Sequence, residues 1–461
     1  MFTVQDIAAA TGGRIIGMTD LPVSGVSTNS RSVESGELFV PLKGERFDGH
    51  DYIVEVIGKK VSVVFAEELW LAAHKDVQEG ARTAIIAVQD TLKALGDLAA
   101  AWRSRFDLPV VGVTGSNGKT TVKEMLAGIL ELSGAGLKTA GNLNNLIGLP
   151  QMLFRLRSEH RWAVLEMGMS EPGEIDRLAE IAVPQIGIVL NVFPAHLESM
   201  GSVENVARAK GELYMRLPTS GTAVYNADDR LVAALPAPSG IKRISFGLDE
   251  ADVKSSDIKQ LGVDGQSFNL QMLGDCVPVH LRAFGQHNIY NALASAAAAY
   301  ALGVKSDDIR QGLENFRPYD KRFRLEESDG IVLIDDSYNA NPASMAAALR
   351  TLSELKGKSR AFVVLGAMLE LGGNEAELHF DLGLEAAKVA DRLYLFGELA
   401  LHTAKGAFDA GMSANSVMYS QNHDEITADI LHRIQPGDFV LIKGSRGMRM
   451  EKVAEGIRKR T

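Results

Sequence analysis

The chain has 461 residues, 46% of them hydrophobic and 23% charged, with a formal net charge of -10. That length exceeds one ordinary core and, at roughly 100 to 200 residues per domain, predicts about three domains. The composition excludes a disordered chain, the acidic balance argues against a nucleic-acid scaffold, and the single cysteine, Cys276, excludes an internal disulfide framework and fits a reducing compartment.

The opening MFTVQDIAAATGG lacks a basic stretch followed by an apolar run, so no secretory leader is expected. Residues 1–85 carry short β-rich runs such as ELFVPL and VSVVFA between Gly, Ser and Asp, the pattern of a small α/β domain. DTLKALGDLAAAWRSRF has helical periodicity and leads through Pro109 into the strand VVGV. Beyond it, helices alternate with apolar strands, including RWAVLEMG (161–168) and PQIGIVLNV (184–192), which predicts a mostly parallel sheet covered on both faces. A β-rich section follows from about 241 to 284, where Cys276 reads as a small buried hydrophobe. The run ALASAAAAYALG at 292–303 is short and alanine-dominated, as in a closely packed helix. No stretch approaches about 18 strongly apolar residues, so no membrane span is expected and the location should be cytoplasmic. From FRPYDKRFRLEE onward the pattern restarts with GIVLIDDS, RAFVVLGAM, DRLYLFG and DFVLIKGS. Each is an apolar strand ending in glycine or polar residues, as in an α/β domain whose strand carboxyl ends carry function. The expected domains are 1–85, 86–316 and 317–461.

GVTGSNGKTT places a glycine-rich turn between a strand and a helix. Gly115 and Gly118 permit the left-handed backbone that lets successive N–H groups converge on an anion. The following helix N-terminus adds its positive end, Lys119 can reach β- and γ-phosphates, and the Thr120 hydroxyl can ligate Mg2+. Val113 stands where the strict phosphate-loop pattern has glycine, so this is a variant loop. Glu166 ends an apolar strand, where a carboxylate is costly to bury without a cation or donor. His196 follows the strand IGIVLN, and Lys210 lies in VARAKGELY. Singly, these read equally well as a cap acceptor, a satisfied loop histidine and a solvated helix residue. Beside a polyphosphate site, a carboxylate and an imidazole become plausible divalent-metal ligands.

Across nearly its whole length the chain resembles the ATP-dependent Mur ligases, which add amino acids or dipeptides to UDP-N-acetylmuramoyl precursors. The matching blocks run in order: STNSRSVESGELFVPLKGERFDGHDY, GVTGSNGKTTVKEM, GNLNNLIGLP, LEMGMSEPGEI, NVFPAHLESMGS, AKGELY, FGQHNIYNALASAAAA, IDDSYNANPASM, VLGAMLELG and IKGSRGMRME. GNLNN, DDSYNANP and KGSRGMRME are the most specific, and they resemble the family member that uses D-alanyl-D-alanine. The resemblance implies three domains: a small N-terminal α/β domain binding the UDP-sugar, a central phosphate-loop domain with a mostly parallel sheet that binds ATP, and a C-terminal Rossmann-like α/β domain. It implies ATP as co-substrate, Mg2+ as cofactor, and UDP-N-acetylmuramoyl-tripeptide and D-alanyl-D-alanine as small-molecule substrates; from the acidic balance no nucleic-acid partner is expected, and the chain is expected to be a monomer. Gly115, Ser116, Asn117, Gly118, Lys119, Thr120 and Thr121 match the ATP-binding loop. Lys119, Glu166, His196 and Lys210 match catalytic positions. Thr120, Glu166, His196 and Lys210 match the metal site, with Lys210 carbamylated into a carboxylate-like ligand. Asn288 and Asn291 match adenine-side residues, Arg322 the arginine near the phosphates and Asp336 the ribose-binding aspartate. Ser30 and Arg31 match the UDP-binding segment, and Asn144 and Asn145 the substrate- and phosphate-facing asparagines.

The chain departs from the family pattern at Asn29, commonly aspartate, at Pro41, at Lys321, commonly glycine, and at Ala367, commonly aspartate. A folylpolyglutamate-type ligase would share the loop and metal residues without explaining KGERFDGHDY or DDSYNANP. A nucleotide-dependent switch would need little beyond the nucleotide site.

Overall fold

The computed structural model describes residues 2–78, 83–194 and 197–459. They form two compact units, one drawn from residues up to 112 with 134–169 and 173–185, the other from 113–133, 170–172 and 186 onward. The fold is α/β with three domains.

In the first unit, five strands lie in the order Arg14–Ile16, Ala84–Val88, Val63–Glu67, Leu38–Phe39, Val26–Ser27. The first pair is antiparallel and the rest parallel. Val63–Glu67 and Ala84–Val88 are buried almost without alternation, as strands covered on both faces must be. The helix Thr91–Arg103 starts at Asp90, whose carboxylate accepts the N–H groups of Leu92 and Lys93 at 2.8 and 2.9 Å. It buries Ala94, Leu95, Leu98 and Ala99 on one face. Its last residue, Arg103, is itself buried and donates to the carbonyls of Phe106, Leu108 and Ala182, which anchors the helix to Glu174–Ala182. The unit also holds the antiparallel pair Phe2–Thr3 and Pro22–Val23 and the parallel pair Leu137–Lys138 and Ala163–Glu166.

In the second unit, Ile186–Val189, Thr222–Asn226, Lys242–Gly247 and Val253–Gln260 run parallel. Gln266–Met272 and Asp275–Leu281 continue antiparallel, which accounts for the β-rich section. Cys276 is exposed, contrary to the sequence expectation. It sits at the start of the outermost strand, beside the hairpin turn. The alanine helix Gln286–Ala301 is buried nearly all round. Its small side chains admit the helix Lys119–Leu130, and Ser295 Oγ donates to the Val122 carbonyl at 3.3 Å. The helix Ser306–Asn315 approaches the same helix through Gly312, where a Cβ would lie 2.5 Å from Ile129 Cα. Close packing thus fixes the element that carries the glycine-rich turn.

The C-terminal sheet, in the same unit, has the order Arg324–Ser328, Ile331–Asp336, Phe439–Lys443, Ala361–Gly366, Arg392–Phe396, Val417–Ser420. Only the first pair is antiparallel. Apolar residues cover both of its faces, with Met345, Leu349 and Leu352 on one and Ile426, Ile430 and Val453 on the other. Its carboxyl ends bring Asp336 and Lys443 together. Among the described residues no helix is long and apolar enough to cross a membrane.

Candidate active site

The strand Val110–Thr114 is entirely buried, and its end is fixed in the second unit by Leu190 N–H donating to the Thr114 carbonyl at 3.0 Å. The turn that follows is held from within. Ser116 N–H donates to the Asn191 carbonyl at 3.0 Å, and Ser116 Oγ both donates to the Phe193 carbonyl and accepts its N–H. Asn117 is bracketed by Asn191, whose Oδ1 accepts the Asn117 N–H at 2.9 Å while its Nδ2 donates to the Asn117 carbonyl at 3.1 Å. Gly118 has φ +89 and a Cβ there would lie 2.4 Å from Asn291 Oδ1, so both backbone and neighbour require glycine. The helix Lys119–Leu130 then begins, and Lys119 Nζ crosses the turn to the Gly115 carbonyl at 2.6 Å. Thr120 is buried, and Thr121 follows on the first helical turn. The Gly118 backbone, a helix N-terminus and an ammonium therefore come together, an arrangement suited to a polyphosphate.

Lys210, on the helix Val203–Met215, is 3% exposed. Burial, and then the charge of Lys119, hold its amine well below the ordinary lysine range. Glu166, in the first unit, ends its strand fully buried, with its N–H donating to Thr139 Oγ1 at 2.9 Å. His196 lies outside the described residues.

Asn288 and Asn291 are both buried on the first turns of the alanine helix. Asn288 Nδ2 donates to the Phe284 carbonyl at 2.8 Å and to His287 Nε2 at 3.2 Å, and its Oδ1 accepts from Asn291 Nδ2 at 3.0 Å. Asn291 Oδ1 faces Gly118, so this pair reaches the glycine-rich turn itself. Burial, aided by the charge of Lys443, pushes His287 down to about 4 from 6.5. The unfolded chain then binds a proton in this window that the folded chain refuses, so stability falls as pH drops from about 6.5 toward 4. Above that window His287 is neutral in both states and costs nothing. The His287→Gln variant should therefore show a flatter acid limb in a plot of melting temperature against pH. Parallel limbs for variant and parent would refute the assignment.

Asp336 Oδ2 accepts from Lys443 Nζ at 2.7 Å and Oδ1 from the Phe323 N–H at 3.0 Å. Desolvation raises its pKa against the pull of Lys443. The Arg322 guanidinium stacks 4.0 Å over the Tyr338 ring. Lys321 and Phe323 flank it with φ +62 and +50, so the family's glycine at 321 has a backbone reason, and the lysine here adopts a conformation that disfavours a side chain.

In the first unit, Asn29 Oδ1 accepts the Arg31 N–H at 3.0 Å and the Ser30 carbonyl accepts from Lys59 Nζ at 2.5 Å. This turn needs an acceptor oxygen, which asparagine supplies as well as aspartate would. Arg31 is exposed and Ser30 half-buried. Gln151 Nε2 donates to Thr28 Oγ1 at 2.9 Å, joining the turn to the segment that holds Asn144 and Asn145. Asn145 Oδ1 accepts the Ile147 and Gly148 N–H groups at 3.2 and 2.8 Å, just ahead of the helix Gly148–Leu153, whereas the Asn144 side chain faces Gly168. Sequence reasoning missed Asn191, Asn341 and Lys443. Of these, only Asn341 carried a local signal, since Asn-Pro-x-Ser marks a helix start.

Residues 22–103 match the family model described as Mur ligase family, catalytic domain, 113–299 the Mur ligase middle domain, and 321–446 the Mur ligase, glutamate ligase domain. The UDP-N-acetylmuramoyl-tripeptide--D-alanyl-D-alanine ligase of Bacillus subtilis is 34% identical over 461 residues, covering 99% of this chain and 98% of that one. The ligase of the same name from Escherichia coli is 36% identical with the same coverage. Among solved structures, MurF from Acinetobacter baumannii superposes with a TM-score of 0.89 at 34% identity, covering 99% of both chains. MurF ligase from Thermotoga maritima in complex with ADP gives 0.85 at 31% identity, covering 96% of this chain and 99% of that one.

Proposed function

We propose that this chain, which belongs to the Mur ligase family, joins D-alanyl-D-alanine to UDP-N-acetylmuramoyl-tripeptide and releases ADP and phosphate from ATP. The observation that carries the reading is the near-full-length likeness to ligases of that activity in a chain whose glycine-rich turn is built as a phosphate cradle.

By residue type, Thr120 and Glu166 would offer Mg2+ oxygen donors, and burial lowers the Lys210 pKa, which favours the neutral amine that attacks CO2. Its nitrogen would bond to the carbon of CO2 and lose a proton, leaving a carbamate whose oxygens suit a hard cation. His196 would be the remaining ligand. When bound, the ion would offset the negative charge of the phosphates as a carboxylate approaches.

A carboxylate is a poor target for an amine, because its charge repels the nucleophile and oxide is a poor leaving group. In the proposed route the tripeptide's terminal carboxylate attacks the γ-phosphorus, the bond to the bridging oxygen breaks, and ADP leaves. Lys119 holds the γ-phosphate, with Gly118 and the helix N-terminus around the β-phosphate. The free amine of D-alanyl-D-alanine then adds to the acyl-phosphate carbonyl, and collapse of the tetrahedral adduct expels phosphate. Asn288, Asn291, Arg322 and Asp336 would hold the nucleoside and phosphates, Ser30 and Arg31 the UDP, and Asn144 the substrate or phosphate. The net charge of -10 supports small-molecule partners over nucleic acid. We place the enzyme in the cytoplasm as a monomer.

ATP turnover should require both the tripeptide and the dipeptide, whereas a nucleotide switch would hydrolyse ATP without them. With 18O in the tripeptide's terminal carboxylate, one labelled oxygen should appear in the released phosphate. Unlabelled phosphate alongside normal pentapeptide formation would exclude the acyl-phosphate route.

A further inference from the structure

Asn117 lies in the middle of the glycine-rich turn, yet its polar groups are turned toward protein. Its N–H and carbonyl are both taken by the Asn191 side chain. Its side chain forms a reciprocal amide pair with Asn341, with Asn341 Nδ2 donating to Asn117 Oδ1 at 2.8 Å and Asn117 Nδ2 donating to Asn341 Oδ1 at 3.3 Å. Asn341 is held just as firmly. It caps the helix Pro342–Lys356, its Oδ1 accepting the Ser344 N–H at 2.9 Å while its own N–H donates to Ser344 Oγ at 3.0 Å. That helix packs through Met345, Leu349 and Leu352 into the core of the C-terminal sheet.

We propose that Asn341 is a positioning residue for ATP binding and that Asn117 acts as a brace between Asn191 and Asn341, not as a phosphate ligand; this rests on the ligase reading above. With the Asn117 N–H directed to Asn191, the donors left to face phosphate are those of Gly118 and the helix start, next to Lys119. The amide pair ties the conformation of this turn to the N-terminus of a helix of the C-terminal sheet. Nucleotide affinity therefore depends on a side chain that need never touch the nucleotide.

The test is a double-mutant cycle on the full chain with Asn117→Ala, Asn341→Ser and both together. Serine is a good helix cap, so Asn341→Ser keeps the helix start while losing the reach to Asn117. Each single variant should weaken binding of a non-hydrolysable ATP analogue about tenfold, as expected for two partly exposed hydrogen bonds that order a loop. The double variant should be no weaker than either single. In turnover the KM for ATP should rise by about the same factor while kcat changes less, and the melting temperature of Asn341→Ser should stay within about 2 °C of the parent. Losses that multiply in the double variant, unchanged binding in Asn341→Ser, or a loss that tracks melting temperature would each overturn the proposal. The binding cycle needs no catalysis, so a parent enzyme that binds the analogue but does not ligate would count against the function alone.

Discussion

Replacing Lys119 with alanine should lower ligation by about a thousandfold, the loss expected when a charge facing the transferred phosphoryl group is removed. The fold should survive. The helix Lys119–Leu130 is held by buried Val122, Met125, Leu126 and Ile129, and by the alanine helix across it, none of which needs the ammonium. Among its contacts, the fold loses the hydrogen bond from Nζ to the Gly115 carbonyl, worth about 1 kcal/mol. Lys119 also lowers the Lys210 pKa, but burial is the larger cause, so the direction of that shift should persist in the variant. Circular dichroism and melting should therefore match the parent while pentapeptide formation disappears. Undiminished ATP consumption by the folded variant would remove Lys119 from the reaction.

The sheets were legible because their strands are continuous apolar runs. VVGV, WAVLE, IGIV, VLIDD and FVLIK all became buried strands, with the polar residue of each motif at or just beyond the carboxyl end. The boundary expected after residue 85 falls inside the strand Ala84–Val88, because a buried strand followed by a capped helix carries no Gly or Pro to mark the change. The turn was legible because glycine at 118 answers a backbone demand that few residues can meet. Its bracing was not. Asn191 and Asn341 lie 74 and 224 positions from Asn117, and no local rule pairs side chains at such separations. The Asp336–Lys443 pair was hidden for the same reason, since parallel strands distant in the chain put both residues at one sheet end. At 321 the family pattern flagged a departure, and only the left-handed backbone supplied its physical meaning.

Lys210→Ala should be inactive, and acetate should restore part of the activity. A buried ammonium next to Lys119 would add positive charge where a cation must bind, so an unmodified Lys210 would be worse than no side chain. Burial eases that difficulty by favouring loss of the proton. In the proposed carbamylation the amine would bond to CO2, and what was a cation would become an anionic oxygen ligand. Alanine leaves a space at the end of a vacated lysine stem, into which a short carboxylate can bring the same oxygens. Activity of the variant should fall by at least about a hundredfold, the scale on which metal-site ligands and their supports act, and rise with acetate at concentrations that leave the parent unaffected. Independently of turnover, the parent equilibrated with 13C-bicarbonate should give a carbamate carbon signal that Lys210→Ala lacks. Purging CO2 should erase that signal and lower the parent's activity, and bicarbonate should restore both. A parent whose activity ignores CO2, whose spectrum shows no carbamate and whose alanine variant ignores acetate would leave Lys210 as a buried neutral amine with a packing role only.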